Sequence, residues 1–102
     1  MIVVAGRVVI DPAKRDEGVR AATEVMEETA KETGCISYTF SADLIDPGTF
    51  RIFEEWESQE ALDAHFASPH MAKFQGVVGS LGVREMKIQR YEVASVGPLG
   101  GS

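Results

Sequence analysis

Breaks at Asp11-Pro12, Gly34, Asp46-Pro47-Gly48 and Ser68-Pro69 divide this chain into segments that alternate between strand and helix character. Each break has a local cause. Asp before Pro is a helix start, with Asp as N-cap and Pro in the first helical position. Gly after a helical pattern supplies the left-handed residue that ends it. Asp-Pro-Gly is a turn, and Ser-Pro is a fresh cap and start.

The segments between the breaks follow two periods. Ile2 to Ile10 is rich in Val and Ile and reads as a strand covered on both faces, apart from Gly6 and Arg7. From Asp11 to about Thr33 the stripe Val19, Ala22, Met26 and Ala30 predicts an amphipathic helix. Cys35 to about Leu44 is a strand with Ile36, Tyr38, Phe40 and Ala42 on one face and Ser37, Thr39 and Ser41 on the other. Thr49 to Glu57 returns as a hairpin partner, with Phe50, Ile52, Glu54 and Trp56 on one face. Ser58 caps a helix to about Ala67. Pro69 starts another that carries Met71, Phe74, Val78 and Leu81, weakened by Gly76, Gly79 and Gly82. Val83 to Val93 is the last strand.

The order βαββαβ describes an α+β, ferredoxin-like fold with a four-stranded antiparallel sheet and helices on one face. The bare sheet face then needs a cover. For a short chain, a second copy related by two-fold symmetry is the expected one, so a homodimer is predicted. The Ser37, Thr39 and Ser41 side would make that interface partly wet. Residues 1–95 form the single domain, and 96–102, dominated by Gly and Pro, read as a flexible tail.

Composition narrows the partners. A net charge of −6 lacks the basic footprint that nucleic acid or an anionic membrane requires. No apolar run has the length of a membrane span, and Met1 to Ala5 lacks the basic start of a signal peptide. The lone Cys35 cannot form an internal disulfide, so a reducing, cytoplasmic setting is expected. Cys35 has no evident activating neighbour. There is no phosphate-binding Gly-rich loop, no G-x-S-x-G elbow and no dinucleotide fingerprint. The acidic residues between Asp16 and Glu32 read as a solvated helix face.

The only Trp and both His fall within Trp56–His70. An imidazole titrates near neutrality, and an indole supplies a flat wall with one donor. Strand parity turns Glu54 inward beside Trp56, where an unpaired carboxylate would be costly and its pKa would rise. Leu62, His65 and Phe66 share one helix face, and His70 follows the Ser68-Pro69 break. Trp56, Glu54, His65 and His70 can therefore line one cavity, although each also has an ordinary structural role open to it. His65 and His70 are five apart with Pro69 between them, which is not the i, i+4 spacing of two metal ligands on one helix, so no metal site is expected.

Gly34-Cys-Ile-Ser-Tyr38, Phe50-Arg-Ile-Phe-Glu54-Glu-Trp56-Glu-Ser58 and Ala61-Leu-Asp-Ala-His65-Phe-Ala-Ser-Pro-His70-Met-Ala-Lys-Phe74 closely resemble the antibiotic biosynthesis monooxygenase domain over about Met1 to Val93. The resemblance implies a dimeric α+β barrel with one pocket per subunit between sheet and helices. Members include oxygenases that act on quinols or anthrone-like aromatics with molecular oxygen, without metal, flavin or haem. Others degrade haem, isomerise a small phosphorylated signal, or have no known activity, so fold is implied more firmly than substrate. Haem-degrading relatives place an Asn on the first strand and a haem-ligating His on the second helical segment. Here those positions hold Arg7 and Gln75, so haem chemistry is not expected.

The expected activity is therefore cofactor-independent oxygenation of a small aromatic. On this reading His65 is the base or oxyanion partner and His70 the second candidate. Trp56 and Phe66 form the slot, Glu54 orients an imidazole, Met71 and Phe74 are walls, and an inward Arg7 would indicate an anionic substrate. The alternatives are an isomerase of a small polar metabolite and a binding domain without turnover. A flat apolar slot favours the oxygenase, a basic wet pocket the isomerase, and a cavity filled by Trp56 and Phe74 neither.

Overall fold

The computed structural model describes residues 1–100. It contains strands β1 (Ile2–Val9), β2 (Cys35–Ala42), β3 (Thr49–Trp56) and β4 (Glu85–Glu92). Its α-helices are α1 (Arg15–Thr29), α2 (Gln59–Phe66) and α3 (Pro69–Val78), and a 3-10 turn spans Pro12–Lys14. The sheet order is β2-β3-β1-β4, with every neighbouring pair antiparallel. This is the ferredoxin-like α+β arrangement that the element order predicts.

The caps sit where the sequence places them. Asp11 accepts from the Ala13 N–H at 3.0 Å, Ser58 from that of Ala61 at 3.1 Å, and Ser68 from that of Met71 at 3.3 Å. Gly34 has φ +85°, the left-handed conformation that favours glycine.

Several details differ from expectation. Helix α1 ends at Thr29 rather than near Thr33, and Ala30–Gly34 is a separate turn. Its buried stripe is Gly18, Ala22, Val25 and Thr29, not Val19, Ala22, Met26 and Ala30. The helix backbone approaches the sheet at Gly18, where a Cβ would meet Ile10 at 2.9 Å; Val19 is thereby turned outward and 41% exposed. In β2 an irregularity between Cys35 and Ser37 leaves Ile36 half exposed while Tyr38 keeps its inward position. Strand β4 is two residues shorter at its start than expected and is exposed along its length. No helix among the described residues is long and apolar enough to cross a membrane.

The core lies between the sheet and the helices in two groups. Ile2, Val4, Val25, Tyr38, Ile52, Trp56 and Leu62 form one; Ile10, Phe50 and Leu81 form the other. The opposite sheet face has no cover within the chain. Phe53 and Tyr91 are half exposed there. Beyond β4, Val96 and Leu99 are exposed; residues 101–102 of the expected tail lie outside the described residues.

Candidate functional site

Strand parity carries the geometry of the site. Phe50, Ile52, Glu54 and Trp56 of β3 all face the helices and are buried. In the hairpin register Tyr38 lies opposite Glu54 and Phe40 opposite Ile52. Between this surface and α3, a cavity of about 380 Å³ lies beside the core. Tyr38, Phe40, Glu54, Phe66, Met71 and Phe74 line one part of it, and Val4, Val8, Met86 and Ile88 line the part toward β4. Glu54 is the only charged side chain in the lining. The wall is otherwise apolar, apart from Tyr38 and Gln75.

Glu54 is 7% exposed. The Trp56 indole N–H donates to its Oε1 at 2.9 Å. Burial pushes the Glu54 carboxyl up to about 7; the Trp56 hydrogen bond opposes this, and the charge of Glu32 reinforces it. Tyr38 is also buried. Burial, then the charges of Glu54 and Glu32, raise its phenol above the ordinary range, so it remains a hydrogen-bond donor at neutral pH. Cys35 is likewise raised by burial, then by Glu32 and Glu54, the opposite of what activates a thiol nucleophile.

Trp56 and His65 are both completely buried, with ring centroids 4.9 Å apart, and neither lines the cavity. The His65 ring lies 5.1 Å from that of Tyr38, so it backs the cavity wall rather than forming it. His65 Nδ1 is 2.7 Å from Glu32 Oε2, and His70 Nε2 is 2.8 Å from the same oxygen. The two imidazole centroids are 6.0 Å apart. His70 faces a small hollow with Glu24 and Lys73, outside the main cavity.

Of the residues singled out from sequence, Glu54, Phe66, Met71 and Phe74 meet at the cavity. Trp56, His65 and His70 converge behind it. Arg7 does neither. Its odd position on β1 turns it to the opposite sheet face, where it pairs with Glu85 at 2.7 Å.

Sequence reasoning passed over Glu32, Tyr38 and the β4 side chains Met86 and Ile88. In sequence Glu32 reads as part of the solvated face of α1, but α1 ends before it and the following turn aims it at the imidazoles. The left-handed Gly34 two residues later was the available signal. Tyr38 shares a face of β2 with Phe40, and pairing the hairpin outward from Asp46-Pro47-Gly48 sets it opposite Glu54. Nothing in the sequence marks Met86 or Ile88 beyond inward parity.

The fold and its apolar cavity define a small α+β domain with room for a compact ligand. Residues 1–77 match the antibiotic biosynthesis monooxygenase family, and the chain belongs to it. An uncharacterized Synechocystis protein, sll1783, is 34% identical over 96% of this chain and 67% of its own length. The solved structure of Rv0793 from Mycobacterium tuberculosis superposes with a TM-score of 0.85 at 27% identity, covering 95% of this chain and 98% of that one. A candidate antibiotic biosynthesis monooxygenase from Deinococcus radiodurans superposes with a TM-score of 0.90 at 27% identity, covering 99% and 100%.

Proposed function

We propose that this protein is a monooxygenase that uses molecular oxygen to oxidise a small aromatic, a quinol or anthrone-like compound, inside the cavity. One observation carries this reading: an apolar cavity of about 380 Å³ whose only charged wall residue is Glu54. Family membership supports the monooxygenase class. An isomerase acting on a polar metabolite would want several polar groups converging on the ligand, whereas this lining offers Glu54, Tyr38 and Gln75.

This reading takes Glu54 rather than His65 as the base, because Glu54 lines the cavity and His65 does not. A carboxylate whose pKa lies near the working pH is well matched to taking a proton from a phenol or an activated ring carbon. Tyr38, directly across the ladder, donates to the substrate oxygen as negative charge develops there. The resulting anion passes one electron to oxygen, and the radical pair combines at carbon. Glu54 returns its proton to give a hydroperoxide. Loss of water from that species leaves a new carbonyl. For an anthrone, the substrate and one O2 become a quinone and one water. The reading needs no bound redox group. Phe40, Phe66 and Phe74 supply flat walls, and the apolar lining lowers the polarity around the anion. Trp56 holds Glu54 in position, while His65, Glu32 and His70 back the wall.

The domain acts as a homodimer paired through the bare sheet face, where Phe53 and Tyr91 stand exposed. Oxidation under 18O2 tests the function: one labelled oxygen in the product supports it. A product without label, or no turnover of any quinol or anthrone, overturns it.

A further inference from the structure

The geometry points to a second site, a zinc-class divalent cation site formed by Glu32, His65 and His70 outside the cavity. Glu32 Oε2, His65 Nδ1 and His70 Nε2 lie within 4.8 Å of one another. They come from three parts of the chain: the turn after α1, the last turn of α2 and the first turn of α3. The five-residue spacing of the two histidines argues against ligation only if both lie on one continuous helix. The break at Ser68-Pro69 reorients the chain between them and brings the rings to 6.0 Å.

Two imidazole nitrogens and a carboxylate oxygen are a donor set that zinc and its first-row neighbours accept, leaving one position for water. The site is shielded but reachable. The His65 side chain is 1% exposed, while those of His70 and Glu32 are 19% and 15% exposed. At present both imidazoles contact one Glu32 oxygen, at 2.7 and 2.8 Å. Zinc bonds of about 2.0–2.1 Å in a tetrahedral array set neighbouring ligand atoms roughly 3.3 Å apart. The carboxylate therefore retreats by about half an ångström from each ring as the cation enters. His70, on the exposed side, has the freedom to adjust.

Binding at Nδ1 also requires the His65 proton to reside on Nε2. That atom is buried and has no hydrogen-bond partner in either direction. Hydrogen bonding to Glu32 leaves its lone pair unsatisfied; metal ligation leaves an N–H there, facing the aromatic rings around it. The site joins the ends of α1, α2 and α3, so its occupancy clamps the helical layer over the cavity. No oxygenation step is routed through the ion, and its test is independent of that reading.

The experiment is calorimetric titration of untagged, chelator-treated protein with zinc chloride, repeated with cobalt(II) under visible spectroscopy. The expected result is one ion per chain, affinity that weakens as pH is lowered because imidazoles must be uncharged to bind, and tetrahedral cobalt absorption. Glu32→Gln and His70→Ala should each weaken binding by roughly 100-fold or more, at or beyond the upper end of the losses common for outer-sphere changes. Thermal melting of the same samples should show zinc stabilising the wild type and not the variants. Circular dichroism confirms that each variant is folded, and Glu32→Gln preserves size and shape if His70→Ala does not fold. No saturable uptake by the wild type, or equal affinity in a folded variant, overturns the site.

Discussion

The Trp56 indole N–H donates to the Glu54 carboxylate at 2.9 Å, and both residues lie on the same buried face of β3. Their spacing of two makes this contact an outcome of strand periodicity. It fixes one carboxylate oxygen at the cavity wall and offsets part of the effect of burial on its pKa, which still reaches about 7. The pH response of the protein follows from this pair.

Turnover as kcat/KM should rise with pH through about 7 as Glu54 loses its proton. Trp56→Phe removes the hydrogen bond that holds the value down, so the midpoint should move to higher pH. A pH-rate profile of the two proteins checks this. A midpoint that stays fixed or falls counts against Glu54 as the titrating base.

Glu54 should also make the protein less stable at alkaline pH. Its folded pKa, about 7, lies above the ordinary carboxylate value of about 4.5, so the native state binds the proton more tightly. This group's contribution to stability therefore declines as pH rises from about 4.5 to 7, and the full penalty holds above that range. It is on the order of 3 kcal/mol at one pKa unit per 1.36 kcal/mol. Glu54→Gln keeps an acceptor for Trp56 and removes the charge. Denaturant melts should show the variant gaining stability over wild type at pH 8, with the difference shrinking by pH 5.

Tyr38→Phe should lower kcat by about 100-fold with little change in KM, the loss typical of removing one preorganised donor to a developing oxyanion. The ring remains to pack edge-on against Trp56 and Phe40. Steady-state kinetics distinguishes this from a packing defect, which would appear in the melting temperature.

Phe53→Asp should convert a dimer to a monomer. Phe53 pairs with Ala5 and Thr39 across the outer face, away from the cavity. A charge there opposes burial against a second copy. Light scattering reads the mass directly. A wild-type monomer would refute pairing through this face.

Much of this architecture is legible in the sequence, and the reasons are local. Asp11, Ser58 and Ser68 bond the backbone next to them, and period-two alternation places Phe50 through Trp56 on one face. What escapes is set by contacts distant in sequence. The inward face of α1 is chosen by the approach of Gly18 to Ile10 and Phe50, not by the helix's own pattern. The irregularity at Ile36 re-phases β2. Spacing shows that His65 and His70 can turn inward, but not that His65 packs against Tyr38 and Trp56 and stays off the cavity wall. It also cannot show that Glu32, 33 residues before His65, is the partner both imidazoles meet.

Oxygen uptake by wild type and Glu54→Gln, measured with an electrode against a panel of quinols and anthrones at pH 8, tests the catalytic reading most directly. The expected result is substrate-dependent uptake by the wild type, reduced in the variant by at least about 100-fold, the order of a general base's contribution. Undiminished uptake by a folded Glu54→Gln protein, or no uptake by the wild type across the panel, would contradict it.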